Sequence, residues 1–157
     1  MNLPPGPWDN EPDKLEFEFD GVPCRITRND SFGNLCGYAA LTEYHPYFKC
    51  GYNNIHYNVH GGLTFCGFQH SENSLWWIGF DCAHSDDVIP SFDKINFKDA
   101  TYKTIDFVKS ELTKLVKQIN EELCIACLHK YSEHQNGICS HECECAKLLK
   151  TRQVITG

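Results

Sequence analysis

Residues 103–123 read KTIDFVKSELTKLVKQINEEL, and across them the hydrophobic period of the chain changes from two to three or four. Ile105, Val108, Leu112, Leu115, Val116, Ile119 and Leu123 fall on one stripe while Lys, Glu and Gln fill the other face, which predicts an amphipathic helix. One apolar stripe needs one apolar surface to cover it. The residues upstream supply that surface as strands, so the expected fold class is α+β: an antiparallel or mixed sheet packed against one long amphipathic helix.

Working toward the N-terminus, Leu75–Phe80 (LWWIGF) is a central-strand candidate, and the polar group Asp81, Cys82, His84, Asp86 and Asp87 begins where its apolar run ends. Val59–Phe65 holds two adjacent glycines, Gly61 and Gly62, which break or kink a strand and let a backbone or ligand approach closely. Leu35–Leu41 reads as a short buried strand, followed by a long tyrosine-rich loop with His45-Pro46 and His56. Leu15, Phe17 and Phe19 alternate with Glu16 and Glu18, Asp20-Gly21 offers a tight turn, and Val22, Cys24 and Ile26 form the returning strand of a hairpin. Pro23 lacks a ladder donor and belongs at an edge or bulge. The proline-rich, acidic opening carries no period. The expected organisation is a flexible arm over 1–12 whose Trp8 docks on the body, an α+β core over 13–123, and a cysteine-rich tail over 124–157.

The 157 residues are 41% hydrophobic and 13% aromatic, enough for one core and too apolar for a disordered chain. Twenty-one acidic against 14 basic residues give a formal charge of −7, which opposes general nucleic-acid binding. No apolar run approaches the ~20 residues that cross a bilayer, and Met1–Pro7 has neither the basic nor the apolar region of a secretion signal. A cytoplasmic protein without a membrane partner is the expectation.

Ten cysteines without a secretion signal point to reduced thiols available to metals. Cys24, Cys36, Cys50, Cys66 and Cys82 are scattered, whereas Cys124, Cys127, Cys139, Cys143 and Cys145 crowd the tail. A C-x2-C knuckle puts two thiolates on one ion, Asn136-Gly137 suits a hairpin turn, and Cys139 and Cys143 are four apart at a helix start. Four soft anionic ligands suit tetrahedral Zn2+. The favoured set is Cys124, Cys127, Cys139 and Cys143, with His141 and Cys145 as alternatives and His129 and His134 nearby; a site with four protein ligands is structural. Reduced cysteines that merely cluster are the competing reading. In its order of knuckle, hairpin and helix, the tail resembles a treble-clef-like zinc site.

A second constellation joins His60-Gly61-Gly62 to Asp81-x-x-His84. As catalytic residues, His60, Asp81 and His84 would hold a second metal ion with a vacant position and activate water, with Asp86 in support: a metal-dependent hydrolase. As a ligand-binding pocket, His60, Gly61, Gly62, Thr64, Asp81, His84 and Asp86 would meet a polar small molecule, with Trp76 or Trp77 stacking on a ring. A third reading makes Cys82 a nucleophile with His60 or His84 as its base. Against all three, Asp81 caps a turn, the imidazoles are ordinary hydrogen-bonded groups at the core edge, and the glycines form a bulge.

The phrases Cys36-Gly37-Tyr38, His45-Pro46, Val59-His60-Gly61-Gly62-Leu63-Thr64 and Gly79-Phe80-Asp81-Cys82-Ala83-His84 resemble a family of small proteins found in bacteriophages and prophages. The likeness runs from Leu35 through the long helix and leaves out the cysteine-rich tail. Ser85 stands between His84 and Asp86 where that family often has a small step before Gly-Asp, and Asp87 follows. The resemblance brings no reaction to transfer. It implies a phage accessory protein acting against host defence, by sequestering or degrading a nucleotide signal or by occupying a host protein. An acidic body favours the protein partner over an anionic nucleotide unless local donors gather at the pocket mouth.

Overall fold

In a computed structural model of the chain, residues 3–69, 74–92, 98–125, 127–130, 133–135 and 138–139 are described. Five antiparallel strands form one sheet: β1 (Lys14–Phe19), β2 (Val22–Arg28), β3 (Leu35–Leu41), β4 (Phe65–Gly67) and β5 (Trp76–Asp81), in the order β1-β2-β3-β5-β4. The helix α1 (Ile105–Glu121) covers one face. A two-stranded ribbon, β6 (His134–Gln135) and β7 (Ile138–Cys139), lies beyond it in the chain. No helix among the described residues is long and apolar enough to cross a membrane.

The expected hairpin forms with Phe17 opposite Cys24, and Asp20 and Gly21 both adopt positive φ at its turn. Pro23 pairs with Glu18 where β2 has not yet met β3, whose register begins at Cys24 opposite Ala39, so no bond to β3 is lost. Strand β3 takes the expected bounds Leu35–Leu41. The glycine-bearing segment behaves differently: the strand begins only at Phe65, because Gly61 and Gly62 turn the chain at φ 66° and 84°.

Alternation divides the sheet into two surfaces. Val22, Cys24, Ile26, Ala39, Ile78 and Phe80 join Val108, Leu112, Leu115, Val116 and Ile119 of α1 in one core, those five helix residues being fully buried. Each of those five Val, Leu and Ile side chains contributes roughly 1.5–3 kcal/mol by burial. Residues of opposite parity, Arg25, Tyr38, Trp77 and Asp81, therefore look away from the helix. Thr104 caps α1, its hydroxyl accepting from the Phe107 N–H at 3.3 Å.

In the N-terminal segment Trp8 docks on the body as expected. Trp8 is buried edge-on against Tyr102 at 5.3 Å, and its indole N–H donates to Pro4 O at 2.8 Å. The Glu11 carboxylate accepts from the Ile105 N–H at 3.0 Å and from Tyr102, and lies 3.4 Å from Arg28. One aromatic anchor, carried on a short 3-10 helix over Pro7–Asn10, and one acid at the start of α1 fasten the segment to the body.

Candidate functional site

The His60 loop is fastened to the helix from below. Gln118 accepts from the Asn58 N–H at 2.7 Å and donates to Asn58 O at 2.9 Å, and Glu111 accepts from the His60 N–H at 2.9 Å. Residues 111 and 118 lie two turns apart on one face of α1, which is why both reach the same loop. Gly62 N–H then closes the turn onto Val59 O at 3.0 Å. A Cβ on Gly61 would lie 2.0 Å from Cε1 and Nε2 of His84, whereas one on Gly62 would meet nothing within 4 Å. Gly61 is thus the floor on which the His84 ring rests.

His84 arrives from the turn after β5. Its N–H donates to Asp87 Oδ2 at 2.9 Å, and the Asp87 N–H donates to His84 O at 3.0 Å, so the carboxylate is fixed inside its own turn. His60 Nε2 lies 2.9 Å from each Asp87 oxygen, and His84 Nδ1 lies 3.1 Å from Oδ2. Lys103, just before the helix, places Nζ 3.4 Å from Asp87 Oδ1 and 4.0 Å from Asp86. The two imidazoles meet edge to face at 5.1 Å, and Phe107 supports His60 at 5.2 Å.

Burial grades across the cluster: the Asp87 side chain is fully enclosed, that of His60 is 12% exposed and that of His84 30%. Burial alone would raise the Asp87 pKa, but hydrogen bonds from the His60 ring and the His84 N–H outweigh it and hold the carboxyl below its ordinary 3.8. Asp87 is a carboxylate at neutral pH.

Each of the three residues offers one ligand atom, and these atoms all lie within 4.8 Å of one another. His60, His84 and Asp87 can therefore hold a metal ion. Neighbouring ligands on a tetrahedral ion with bonds of ~2.0–2.1 Å sit about 3.3 Å apart. The 2.9 and 3.1 Å contacts to Asp87 are a few tenths of an ångström short of that. Three protein ligands leave a fourth position for water or a ligand atom.

The carboxylate of this cluster is Asp87, not the expected Asp81. Strand parity sends Asp81 to the opposite face of the sheet, where its Oδ1 accepts from the Ala83 N–H at 3.1 Å and caps the turn. Trp77 shares that parity; it is buried under the Arg25 guanidinium, 4.5 Å from the ring centroid, and does not stack beside His60. The Thr64 N–H donates to Gly79 O at 2.8 Å, and Thr64 lines a cavity with Asp81 rather than with the histidines. Asp86 is 69% exposed beside Lys103. Cys82 lies in the hydrophobic core, where burial, reinforced by the Asp87 charge, raises its thiol pKa; a nucleophile needs the reverse. Asp87 carried one sequence signal, its place in the polar group that follows the apolar run of β5. Lys103 carried none.

His45 is a core group. Its Nδ1 accepts from the Tyr47 N–H at 3.1 Å, its Nε2 lies 3.4 Å from both Ile119 O and the Tyr57 hydroxyl, and burial lowers its pKa to about 4. In the tail, the Cys124 N–H donates to His129 O at 2.8 Å, the Leu128 N–H donates to Cys124 O at 2.9 Å, and the Ile125 N–H ties the turn to Tyr44 O at 3.0 Å. Cys124 is fully buried, Cys127 half-buried, and the Cys139 backbone pairs with His134. Cys143, His141 and Cys145 lie outside the described residues, and with them the expected four-ligand set and helix.

No protein-family model, curated protein or solved structure matches the chain.

Proposed function

We propose that this protein is an accessory protein of phage type that captures a small polar ligand on a zinc ion held by His60, His84 and Asp87, with counter-defence as its setting. The observation that carries the reading is the convergence of two imidazoles from separate loops on one enclosed carboxylate. A mixed nitrogen and oxygen donor set suits zinc, and the open fourth position suits a ligand oxygen or nitrogen. Lys103, 3.4 Å from Asp87, adds a cation beside the centre, the local donor that an acidic body needs to accept an anionic group. A second ion on the tail cysteines would clasp the end of the chain without taking part in recognition.

Capture is favoured over hydrolysis because the nearby buried carboxylates are already engaged. Asp87 receives His60, His84 and Lys103, and Glu111 receives the His60 N–H and Lys114, so neither is placed to take a proton from bound water. The metal-dependent hydrolase stands as the second reading, since the same open position would bind and acidify water.

Elemental analysis of the purified chain, beside His84→Ala, tests the centre: one fewer zinc per chain is expected in the variant. Equal metal content would refute the site. Incubation of the zinc-loaded protein with cyclic dinucleotides and cyclic ADP-ribose isomers, followed by heat release, tests the role. Intact recovered ligand supports capture, converted ligand supports the hydrolase, and no retention rejects both nucleotide readings and leaves a host protein as the object of binding.

A further inference from the structure

Asp81 and Thr64, which the histidine centre leaves out, belong to a second hollow on the far side of the sheet. Its volume is about 290 Å³, and its walls include Phe32, Asn34, Tyr38, Thr64, Phe65 and Asp81. That is close to the lower end of the ~300–1,000 Å³ typical of ligand pockets. Helix α1 lies on the opposite face and does not cover it.

Two groups in this hollow need a hydrogen-bond donor. The Asn34 side chain is almost wholly buried, its residue only 2% exposed, yet its Oδ1 has no partner among the described residues. Asp81 has one described contact, the Ala83 N–H at 3.1 Å, and no ion pair within 4.0 Å involves it among the described residues. An orphaned buried acceptor costs ~1–3 kcal/mol, so a hollow whose lining holds both one of these and a carboxylate with no ion pair among the described residues is poised for a donor. The charge of Asp81 is felt inside the wall, where it adds to the burial that raises Cys36 to about 11 and Tyr38 to about 12. The remaining walls are aromatic: Tyr38 and Phe65 meet edge to face at 5.4 Å, and Phe32, 44% exposed, stands at the rim against Phe92 at 5.5 Å. An anion, a buried acceptor and ring faces together select a cation that donates hydrogen bonds.

We propose that this hollow is a recognition site for a guanidinium or primary ammonium group, held between the Asp81 carboxylate, Asn34 Oδ1 and the rings of Tyr38 and Phe65. The group is supplied by a small free amine or by a basic side chain of a peptide, and the chemistry is the same for both. The site is separate from the histidine centre, because strand parity points Asp81 away from α1 whereas His60 is held to α1 through Glu111 and Phe107.

The test is an NMR titration of the full isotope-labelled chain with ethylguanidinium, n-butylammonium and a blocked tripeptide carrying arginine at its centre. Saturable shifts are expected at the Asn34 side-chain amide, Thr64 and Phe65, and n-butanol should produce none. Asp81→Asn should weaken binding at least tenfold, whereas Glu18→Gln, which removes the same charge from exposed β1, should leave it within twofold; His84→Ala should also retain it. Tighter binding of the tripeptide identifies a peptide side chain as the occupant, and equal binding identifies a small amine. Shifts that are linear, spread over the acidic surface, or weakened equally by Asp81→Asn and Glu18→Gln would overturn the proposal. Should Asp81→Asn fail to fold, the wild-type response at the Asn34 amide decides alone.

Discussion

Replacing either glycine of the His60 turn with alanine separates backbone strain from loss of the site. Both have positive φ, 66° at Gly61 and 84° at Gly62. An L-residue there costs roughly 1–2 kcal/mol, offset in part by about 0.4–1 kcal/mol from the stiffer unfolded chain. Gly62→Ala, whose Cβ meets nothing, should therefore cost about 1 kcal/mol, within roughly 0–1.6 kcal/mol. Gly61→Ala must also push His84 aside, because its Cβ would stand 2.0 Å from two ring atoms. Moving that ring breaks the 3.1 Å contact to a fully buried carboxylate, and a hydrogen bond to a charged group is worth about 1.5–3 kcal/mol. The expected total for Gly61→Ala is about 3 kcal/mol, with zinc affinity reduced at least tenfold, while Gly62→Ala keeps its zinc. Urea unfolding, zinc titration and the NMR signals of the His84 ring read all three. Two variants within about 0.5 kcal/mol of each other, both binding zinc as the wild type does, would refute the idea that Gly61 seats His84.

Other outcomes follow from the same structure. His45 titrates near 4 when folded against 6.5 in a free chain, so its contribution is fully present above pH 6.5 and is lost as pH falls toward 4; the loss is about 3 kcal/mol at ~1.4 kcal/mol per pH unit. Subtracting the pH profile of His45→Gln from that of the wild type should isolate this slope, and parallel profiles would count against it. Asp87 adds stability that disappears only under more acidic conditions, as pH drops below 3.8 and through its lower folded value, so Asp87→Asn should flatten the profile there. Trp8→Ala should cost about 3–5 kcal/mol by urea unfolding, as expected for an enclosed indole, and a loss below ~1 kcal/mol would show that the N-terminal segment is not docked. On the proposal that the tail cysteines hold zinc, Cys127→Ser should lower the zinc content found by elemental analysis while leaving the unfolding midpoint of the body nearly unchanged; unaltered metal content would refute Cys127 as a ligand.

Much of the architecture was legible because it rests on local periodicity. The helical stripe begins at Ile105 as expected and ends at Glu121, two residues before Leu123; the β1–β2 hairpin forms, and β3 occupies Leu35–Leu41. Each is decided by neighbours along the chain, by alternation, by a turn pair or by a stripe. The partners of the N-terminal segment were not legible, for the complementary reason. Trp8 and Glu11 find their partners Tyr102 and Ile105 more than 90 positions away, and no window of sequence holds both.

The candidate site divides along the same line. Composition and motif spacing singled out His60 and His84, and the chain's chemistry called for a carboxylate beside them. Which carboxylate depended on side-chain direction: Asp81 ends a strand whose even and odd members face opposite ways, whereas Asp87, three residues past His84, is turned inward by the hydrogen bond from the His84 N–H. The sequence determined the elements and the stock of functional groups, because those depend on local pattern and residue type. Only the tertiary structure decided their grouping, since the side of a sheet a residue occupies, and whether Lys103 reaches it from the far end of a loop, are fixed by long-range packing.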